Sequence, residues 1–405
     1  MTKNLTKKIL ISFLLGILFG VLFNVINFNF KVDINFVLET FDFGGTLFLT
    51  VLKMLVVPIV FVSIICGICN LNNFSSLGKI SFKTISIYLI TTGFAISLAL
   101  IIASVIQPGL AENLNQNPDE IDLQSKPSIK NVLLNIVPSN PFKALSEGNM
   151  LQVIFFSLIL GASISLSGKK GDFLKNFFVS LNEILLRALE IIMRFAPLGI
   201  FCLIAKTFSS QGLDIILELG KYFFTVIICL IIHTVVVYGL FIKFFGKYSP
   251  ISFFLKIKDA VFFAFSTSSS SATIPITLRS VIDNLKVKEK IASFTVPLGS
   301  TINMDGTAIM QGVATVFIAN IYGFSLDMND FISIILTATL ASIGTAGVPG
   351  VGLIMLGMVL NQIGLPLEGI AIIMGVDRFL DMLRTSTNVC GDAMVSLVVD
   401  RTDKK

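Results

Sequence analysis

From Ile9 to about Phe28 the chain runs almost wholly apolar, and runs of that length recur towards its far end. A helix needs about 20 apolar residues to cross the hydrocarbon core of a bilayer. Stretches at about 9–28, 45–70, 84–107, 149–167, 178–206 and 220–245 meet that requirement. Only 14% of residues are charged, against about 25% in a typical soluble domain. The chain therefore reads as an all-α, polytopic membrane protein, and no nucleic-acid-binding module is suggested. The first run follows "MTKNLTKK", a basic start that a signal peptide would also have. It is span-length and ends in "NVINFNF" rather than in a small-residue cleavage site, so it reads as a retained first helix.

The connections fix an orientation. Lys3, Lys7 and Lys8 precede the first span, and Lys79 and Lys83 lie between the second and third. Lys169, Lys170 and Lys175 lie between the fourth and fifth, and Lys243 and Lys247 follow the sixth. If the six spans alternate, all of these lysines fall on one side, which the positive-inside rule makes cytoplasmic. The polar stretch 109–147, with the acidic "NPDEID" at 117–122, then reads as an external loop.

Five scattered cysteines read as small core hydrophobes, including the "CGIC" of 66–69, which sits in an apolar helix without a second pair. The single histidine, His233, lies mid-span in "CLIIHTVVVY". An intramembrane ionisable group is a functional hypothesis by default. With no carboxylate near it in sequence, a packing or polar-contact role is the expectation.

After residue 250 the pattern changes. "AVFFAFSTSSSSATIPITL" (260–278) has serines in the middle of an apolar run, and "VPLGSTINMDGTAIMQGVATVFIANIYG" (296–323) carries Asn303 and Asp305. "LTATLASIGTAGVPGVGLIMLGMVL" (336–360) is broken at its centre by glycine, proline and small residues. Irregular backbone at membrane depth survives only where it is buried in protein or lines a cavity. Two broken segments, each followed by a polar-studded helix, have the form of an internal duplication, the sequence sign of a transporter site at a repeat interface.

"DRFLDMLRTSTNVCGD" (377–392) follows, dense in charge. At about 100° per residue, Asp377, Asn388, Asp392 and Thr385 all fall within about 40° of Asp381 around the helix axis. Arg384 and Arg378 fall about 60° to either side, so seven polar groups share an arc of roughly 120°. A lone Arg or Asp at a helix centre costs about 2.5–3.5 kcal/mol on insertion scales, so this face must look inward. One explanation is internal salt bridging, Asp381–Arg384 or Arg378–Asp381. That needs neither Asn388, Thr385 nor Asp392. Arg384 has the planar fork that holds a carboxylate, Asp381 can receive an ammonium group, and Asp392 is a hard-oxygen donor for a small cation.

With these residues in view, "SSSSATIP" (268–275), "NMDGT" (303–307), "ASIGTAGVPG" (341–350) and "DMLRTSTNVCGD" (381–392) resemble, in order and spacing, the sodium-coupled glutamate/aspartate transporters. These are the dicarboxylate/amino acid:cation symporters. "VPSNPF" (137–142) and "MRFAPLGIF" (193–201) extend the resemblance over essentially the whole chain. It implies eight transmembrane helices, two re-entrant hairpins, inverted repeats, a homotrimer and elevator-type movement in a cell inner membrane, with both termini cytoplasmic. Residues 1–245 would be mainly scaffold, with 84–107 joining the transport domain. The transport core would be 250–400: a first hairpin at about 255–282, a seventh helix at about 287–323, a second hairpin at about 329–361 and an eighth helix at about 366–400.

The resemblance also implies roles. Arg384 would bind the side-chain carboxylate of aspartate or glutamate and Asp381 its amino group. Asn388 and the backbone around Ser269 and Ser270 would hold the α-carboxylate, with Thr307 and Thr385 nearby. The tip of the second hairpin, including Val348 and reaching Gly352, would close over the substrate. One sodium site would use Asp392, Gly299, Asn303 and Asn388, and a second Thr301, Ser342, Ile343 and Thr345. A third would use Asp305, Asn303, Thr91, Thr92 and the Tyr88 carbonyl. No cofactor is expected beyond sodium as the coupling ion.

Two departures matter. Archaeal members often place an arginine where Ser268 stands, and animal members compensate with an arginine at the position of Met382. Arg378 is the remaining basic residue close to Asp381, and the hypothesis is that it supplies that charge. Proton-coupled animal carriers have a glutamate at the position of Gln311, which cannot titrate, so sodium-only coupling is favoured over a proton-coupled relative. Arg384 argues against a neutral amino acid, and Asp381 against a four-carbon dicarboxylate. A channel or sensor is the non-symport reading. A membrane hydrolase would need a base near the serines, and His233 lies far from them in sequence.

Overall fold

A computed structural model describes residues 2–30, 35–69, 74–110, 137–211, 214–342, 347 and 349–403. Among these residues all regular structure is helical. Most of the expected external loop 109–147 lies outside the described residues, as do Ile343, Thr345 and Val348.

The first three apolar runs form α1 (Thr2–Phe30), α2 (Asn35–Cys69) and α3 (Phe74–Ile106). A short α4 (Pro141–Glu147) is capped by Asn140, whose side chain accepts from the Phe142 and Lys143 N–H groups. It leads into α5 (Met150–Leu166). The expected single span 178–206 is instead two helices, α6 (Asp172–Met193) and α7 (Ala196–Gln211), which meet at a bend of 54°. Arg194 and Phe195 donate to the carbonyls of Ile191 and Ile192, three residues back, which tightens the last turn of α6. Pro197, with no N–H to give, is suited to the first turn of a new helix. The run 220–245 is α8 (Asp214–Ile232), a π turn (His233–Val237) and α9 (Tyr238–Phe244).

The broken segments form helical pairs. In the first, α10 (Pro250–Thr267) and α11 (Ser270–Arg279) are joined at Ser268, in the left-handed region at φ 52°, and Ser269, whose hydroxyl accepts from the Ala272 N–H. The Asn284 amide donates to the Lys256 carbonyl at 2.9 Å, so the far ends of this pair also meet and it is antiparallel. The second pair is α14 (Met328–Ser342) and α15 (Val351–Gln362). The span-length run 296–323 is not one helix: α12 (Glu289–Ile302) unwinds at Asn303 (φ −89°, ψ 90°) and Met304 (φ −118°, ψ 42°) before α13 (Asp305–Ile321) begins. The last helix, α16 (Gly369–Thr402), runs unbroken.

Helices α3, α13 and α16 pack together, α8 lies against all three, and α10 and α12 pack on α16. α13 and α16 are buried along most of their length, so their polar residues face other helices. By length and composition, Ile80–Ile106 and Leu217–Phe244 can each cross a membrane, and Asp172–Ile192 with Ala196–Ser209 makes a third span if the bent pair counts as one. Ile11–Ile26, Val57–Cys69 and Gln152–Leu166 are shorter apolar helices. All five cysteines are buried and unbridged.

Candidate functional site

The site is built where α16 passes the ends of α12 and α13. On α16, Asp377, Asp381 and Arg384 stand on one face, because three and seven residues are close to one and two helical turns. Arg384 is 1% exposed. Its Nη2 donates to Asp381 Oδ1 at 3.0 Å, and its Nη1 lies 2.9 Å from Asp377 Oδ1. Arg378 Nη1 stands 3.6 Å from Asp381 Oδ2, with both side chains partly exposed. Both ion pairs of the internal salt-bridge explanation are thus formed.

They do not satisfy the guanidinium. Asp377 Oδ1 pairs with Nη1, but among the described residues Arg384 Nε has no hydrogen-bond acceptor. A guanidinium carries five N–H donors, and leaving them unmet in a buried place is costly. A carboxylate is the acceptor that matches them. A Cβ added at Gly352 would stand 3.3 Å from Thr307 Cγ2 and 3.5 Å from Arg384 Nη2, so Gly352, Thr307 and Arg384 border the same space. Thr385 donates its hydroxyl to the Asp381 carbonyl.

The tips of the two helical pairs meet each other. Ser269 Oγ donates to the Gly347 carbonyl at 2.7 Å, and the Ser271 N–H donates to the same oxygen at 3.2 Å. Ser270, the first residue of α11, is buried.

Around the break at Asn303 and Met304 the chemistry changes to oxygen. Asn303 Nδ2 donates to Asp392 Oδ1 and to the Asn388 carbonyl, both at 2.9 Å, while the buried Asn303 Oδ1 has no partner among the described residues. Asn388 accepts the Gly306 N–H on Oδ1 at 2.8 Å and points its amide at Met304 Sδ, 3.3 Å away. Gly299 is required here: a Cβ on it would come 2.3 Å from Asp392 Oδ1 and 2.5 Å from Tyr88 Oη. The end of α12 also leaves carbonyls that no further helical turn satisfies.

A second group surrounds Asp305, which is fully buried. Thr92 Oγ1 donates to Asp305 Oδ1 at 2.5 Å. Thr91 and Thr92 also bring their hydroxyls to the Tyr88 carbonyl, at 3.0 and 2.9 Å. On the other oxygen, Oδ2, Tyr238 Oη donates at 2.8 Å and His233 Nε2 lies at 3.1 Å.

Arg384, Asp381, Thr385, Thr307 and Gly352 are thus gathered, as are Asp392, Gly299, Asn303 and Asn388, and Asp305 with Tyr88, Thr91 and Thr92. The second expected cation group, Thr301, Ser342, Ile343 and Thr345, is not assembled among the described residues. Thr301 and Ser342 turn their hydroxyls back onto the carbonyls of Leu298 and Thr339 in their own helices, and Ile343 and Thr345 lie outside the described part. Sequence reasoning missed Asp377 and Tyr238 as participants. Asp377 was visible on the polar arc. The tie between His233 and Asp305 spans 72 residues, which no local pattern reveals.

The model of the sodium:dicarboxylate symporter family matches residues 5–402. The chain is 35% identical over 367 residues to the proton/sodium-glutamate symport protein of Geobacillus stearothermophilus, covering 88% of this chain and 86% of that protein. It is 34% identical over 374 residues to the proton/glutamate-aspartate symporter of Escherichia coli strain K12, covering 89% and 85%. It is 34% identical over 418 residues to human excitatory amino acid transporter 3, covering 90% and 80%. A match over nearly the whole length, to a chain of buried, broken helices around paired charges, has one meaning: the protein belongs to the sodium:dicarboxylate symporter family and is a membrane transporter, not an enzyme.

Proposed function

We propose that the protein is a secondary active symporter that takes up L-aspartate or L-glutamate together with sodium. The observation that carries this reading is the buried Arg384 guanidinium, whose Nε keeps no acceptor among the described residues, three residues from Asp381. Arg384 holds the substrate's side-chain carboxylate and Asp381 its ammonium group. Asn388 and the backbone at Ser269 and Ser270 hold the α-carboxylate, with Thr307 and Thr385 beside it and Val348 and Gly352 on the covering hairpin. Sodium is taken by Asp392, Asn303, Asn388 and the Gly299 carbonyl, by Asp305, Asn303, Thr91, Thr92 and the Tyr88 carbonyl, and by Thr301, Ser342, Ile343 and Thr345.

Residues 250–400, with the 84–107 part of α3, form a transport core that moves as an elevator against a scaffold made mainly of 1–245. The protein works as a homotrimer of multi-pass chains in the inner membrane, with cytoplasmic termini. The names of the relatives support a glutamate or aspartate substrate and leave sodium and proton as rival coupling ions. Gln311, buried in α13 and unable to titrate, favours sodium.

The test is uptake of labelled L-aspartate into proteoliposomes under a sodium gradient or a proton gradient, with excess unlabelled glutamate, serine or succinate. Sodium-driven uptake blocked by glutamate is expected. Proton-driven uptake would keep the substrate and remove the sodium sites, and competition by succinate or serine would overturn the roles of Asp381 or Arg384.

Arg378 bears on the same site. It reaches Asp381 Oδ2, the oxygen not used by Arg384, so an arriving ammonium must share or displace it. Arg378 balances the negative charge of Asp377 and Asp381, and Arg378→Ala is expected to weaken uptake sharply. Near-normal uptake in that variant would sink the assignment.

A further inference from the structure

The π turn in the sixth apolar run has a chemical consequence. In a regular α-helix, residues five apart point about 140° away from each other. Here the Tyr238 N–H donates to the His233 carbonyl, the i to i+5 bond of a π turn. That bond brings the two side chains to one side of the helix, with ring centroids 4.6 Å apart at 70°. Both then reach a single atom, Asp305 Oδ2, at 3.1 and 2.8 Å. π turns inside helices occur often at functional sites, and this one joins two donors that regular helix would separate.

The geometry also specifies what His233 does. An ionised carboxylate only accepts, so Nε2 must carry a proton to bond Oδ2. The buried Nδ1 has no partner among the described residues. His233 therefore acts as an N–H donor through Nε2. With Tyr238 it occupies Oδ2 and so leaves Oδ1 to Thr92, whose hydroxyl also lies 2.9 Å from the Tyr88 carbonyl.

We propose that His233 and Tyr238, paired by the π turn, are positioning residues for the Asp305 cation site: they hold one carboxylate oxygen so that the other faces the coupling ion. The inference rests on the reading of Asp305, Thr91, Thr92 and the Tyr88 carbonyl as a sodium site. Partners that orient a ligating group typically change metal affinity about 10- to 100-fold when removed.

The experiment is aspartate uptake by the full chain in proteoliposomes, titrated with sodium chloride against choline chloride at constant ionic strength. Unmodified protein is compared with His233→Leu, His233→Gln and Tyr238→Phe. His233→Leu is expected to raise the half-saturating sodium concentration about 10- to 100-fold. Maximal rate and aspartate KM at saturating sodium should be retained. His233→Gln, whose amide N–H can still donate, should restore a value close to that of the unmodified protein. Tyr238→Phe removes one oxygen while keeping the ring, and should move sodium dependence in the same direction as His233→Leu.

The proposal is overturned if His233→Leu leaves sodium dependence unchanged, or if the leucine and glutamine variants lose maximal rate alike, as a packing role would predict. Should His233→Leu fail to fold, Tyr238→Phe decides, and an unchanged half-saturation there overturns the proposal. Uptake by the unmodified protein that ignores sodium overturns the cation-site reading itself, which is a separate and visible outcome.

Discussion

Arg384→Cys is expected to abolish uptake of acidic amino acids. Arg384 is among the largest fully buried side chains of the described residues, and its guanidinium touches both Asp377 and Asp381. Its loss removes the proposed partner of the substrate's second carboxylate and leaves two carboxylates without their closest cation. Truncating one member of a buried hydrogen-bonded charge pair costs about 2–5 kcal/mol, much of it the penalty on the partner left behind. At about 1.4 kcal/mol per factor of ten, apparent affinity should fall by roughly 30-fold to a few thousand-fold. Competition by serine, measured in the same variant, separates a lost carboxylate partner from a collapsed site: a folded variant that gains sensitivity to neutral amino acids has lost only the former. Arg384→Lys should rescue little, since an ammonium cannot form the planar two-point fork. Unchanged aspartate affinity in Arg384→Cys would overturn the assignment.

The second large effect is expected from a single methyl group. Gly299→Ala places a Cβ 2.3 Å from Asp392 Oδ1 and 2.5 Å from Tyr88 Oη. Neither neighbour is free to give. Asp392 is bonded by Asn303, and Tyr88 donates its hydroxyl to the Thr295 carbonyl. Overpacking a well-filled interior costs about 1–3 kcal/mol, and here the displaced atom is the carboxylate oxygen proposed to hold a cation. Sodium-driven uptake should fall by at least about 5-fold, read as a rise in the sodium requirement. Gly220→Ala, where an added Cβ meets nothing within 4 Å, is the control and should leave uptake unchanged. Equal behaviour of the two variants would mean that the crowding at Gly299 has no functional weight.

The site was legible in part because two kinds of signal survive in a linear sequence. Helical periodicity puts Asp377, Asp381, Arg384, Asn388 and Asp392 on one arc, and α16 buries all five. Small and polar residues inside apolar runs mark broken backbone, and Ser268–Ser269 is such a break. Two features were not legible. The bend between α6 and α7 interrupts an apolar run whose hydropathy alone reads as one span, because hydropathy carries no information on backbone direction. The break at Asn303 and Met304 falls inside a run read as one helix, since Asn and Asp are tolerated in helices as well as at their ends.

Sequence alone determined that this chain is a helical membrane protein with an inward-facing charged helix and two interrupted segments. Low charge, long apolar runs and the cost of charge in hydrocarbon leave few other solutions. Only the tertiary structure decided which donors meet which acceptors. His233 and Tyr238 on a π turn converge on Asp305, Asn303 bridges Asp392 and the Asn388 carbonyl, and Ser269 closes on Gly347. These pairs lie far apart in the chain, and their meeting depends on helix crossings and on backbone approach within a few ångströms. Periodicity within one segment reports which side a residue faces; it does not report what stands opposite.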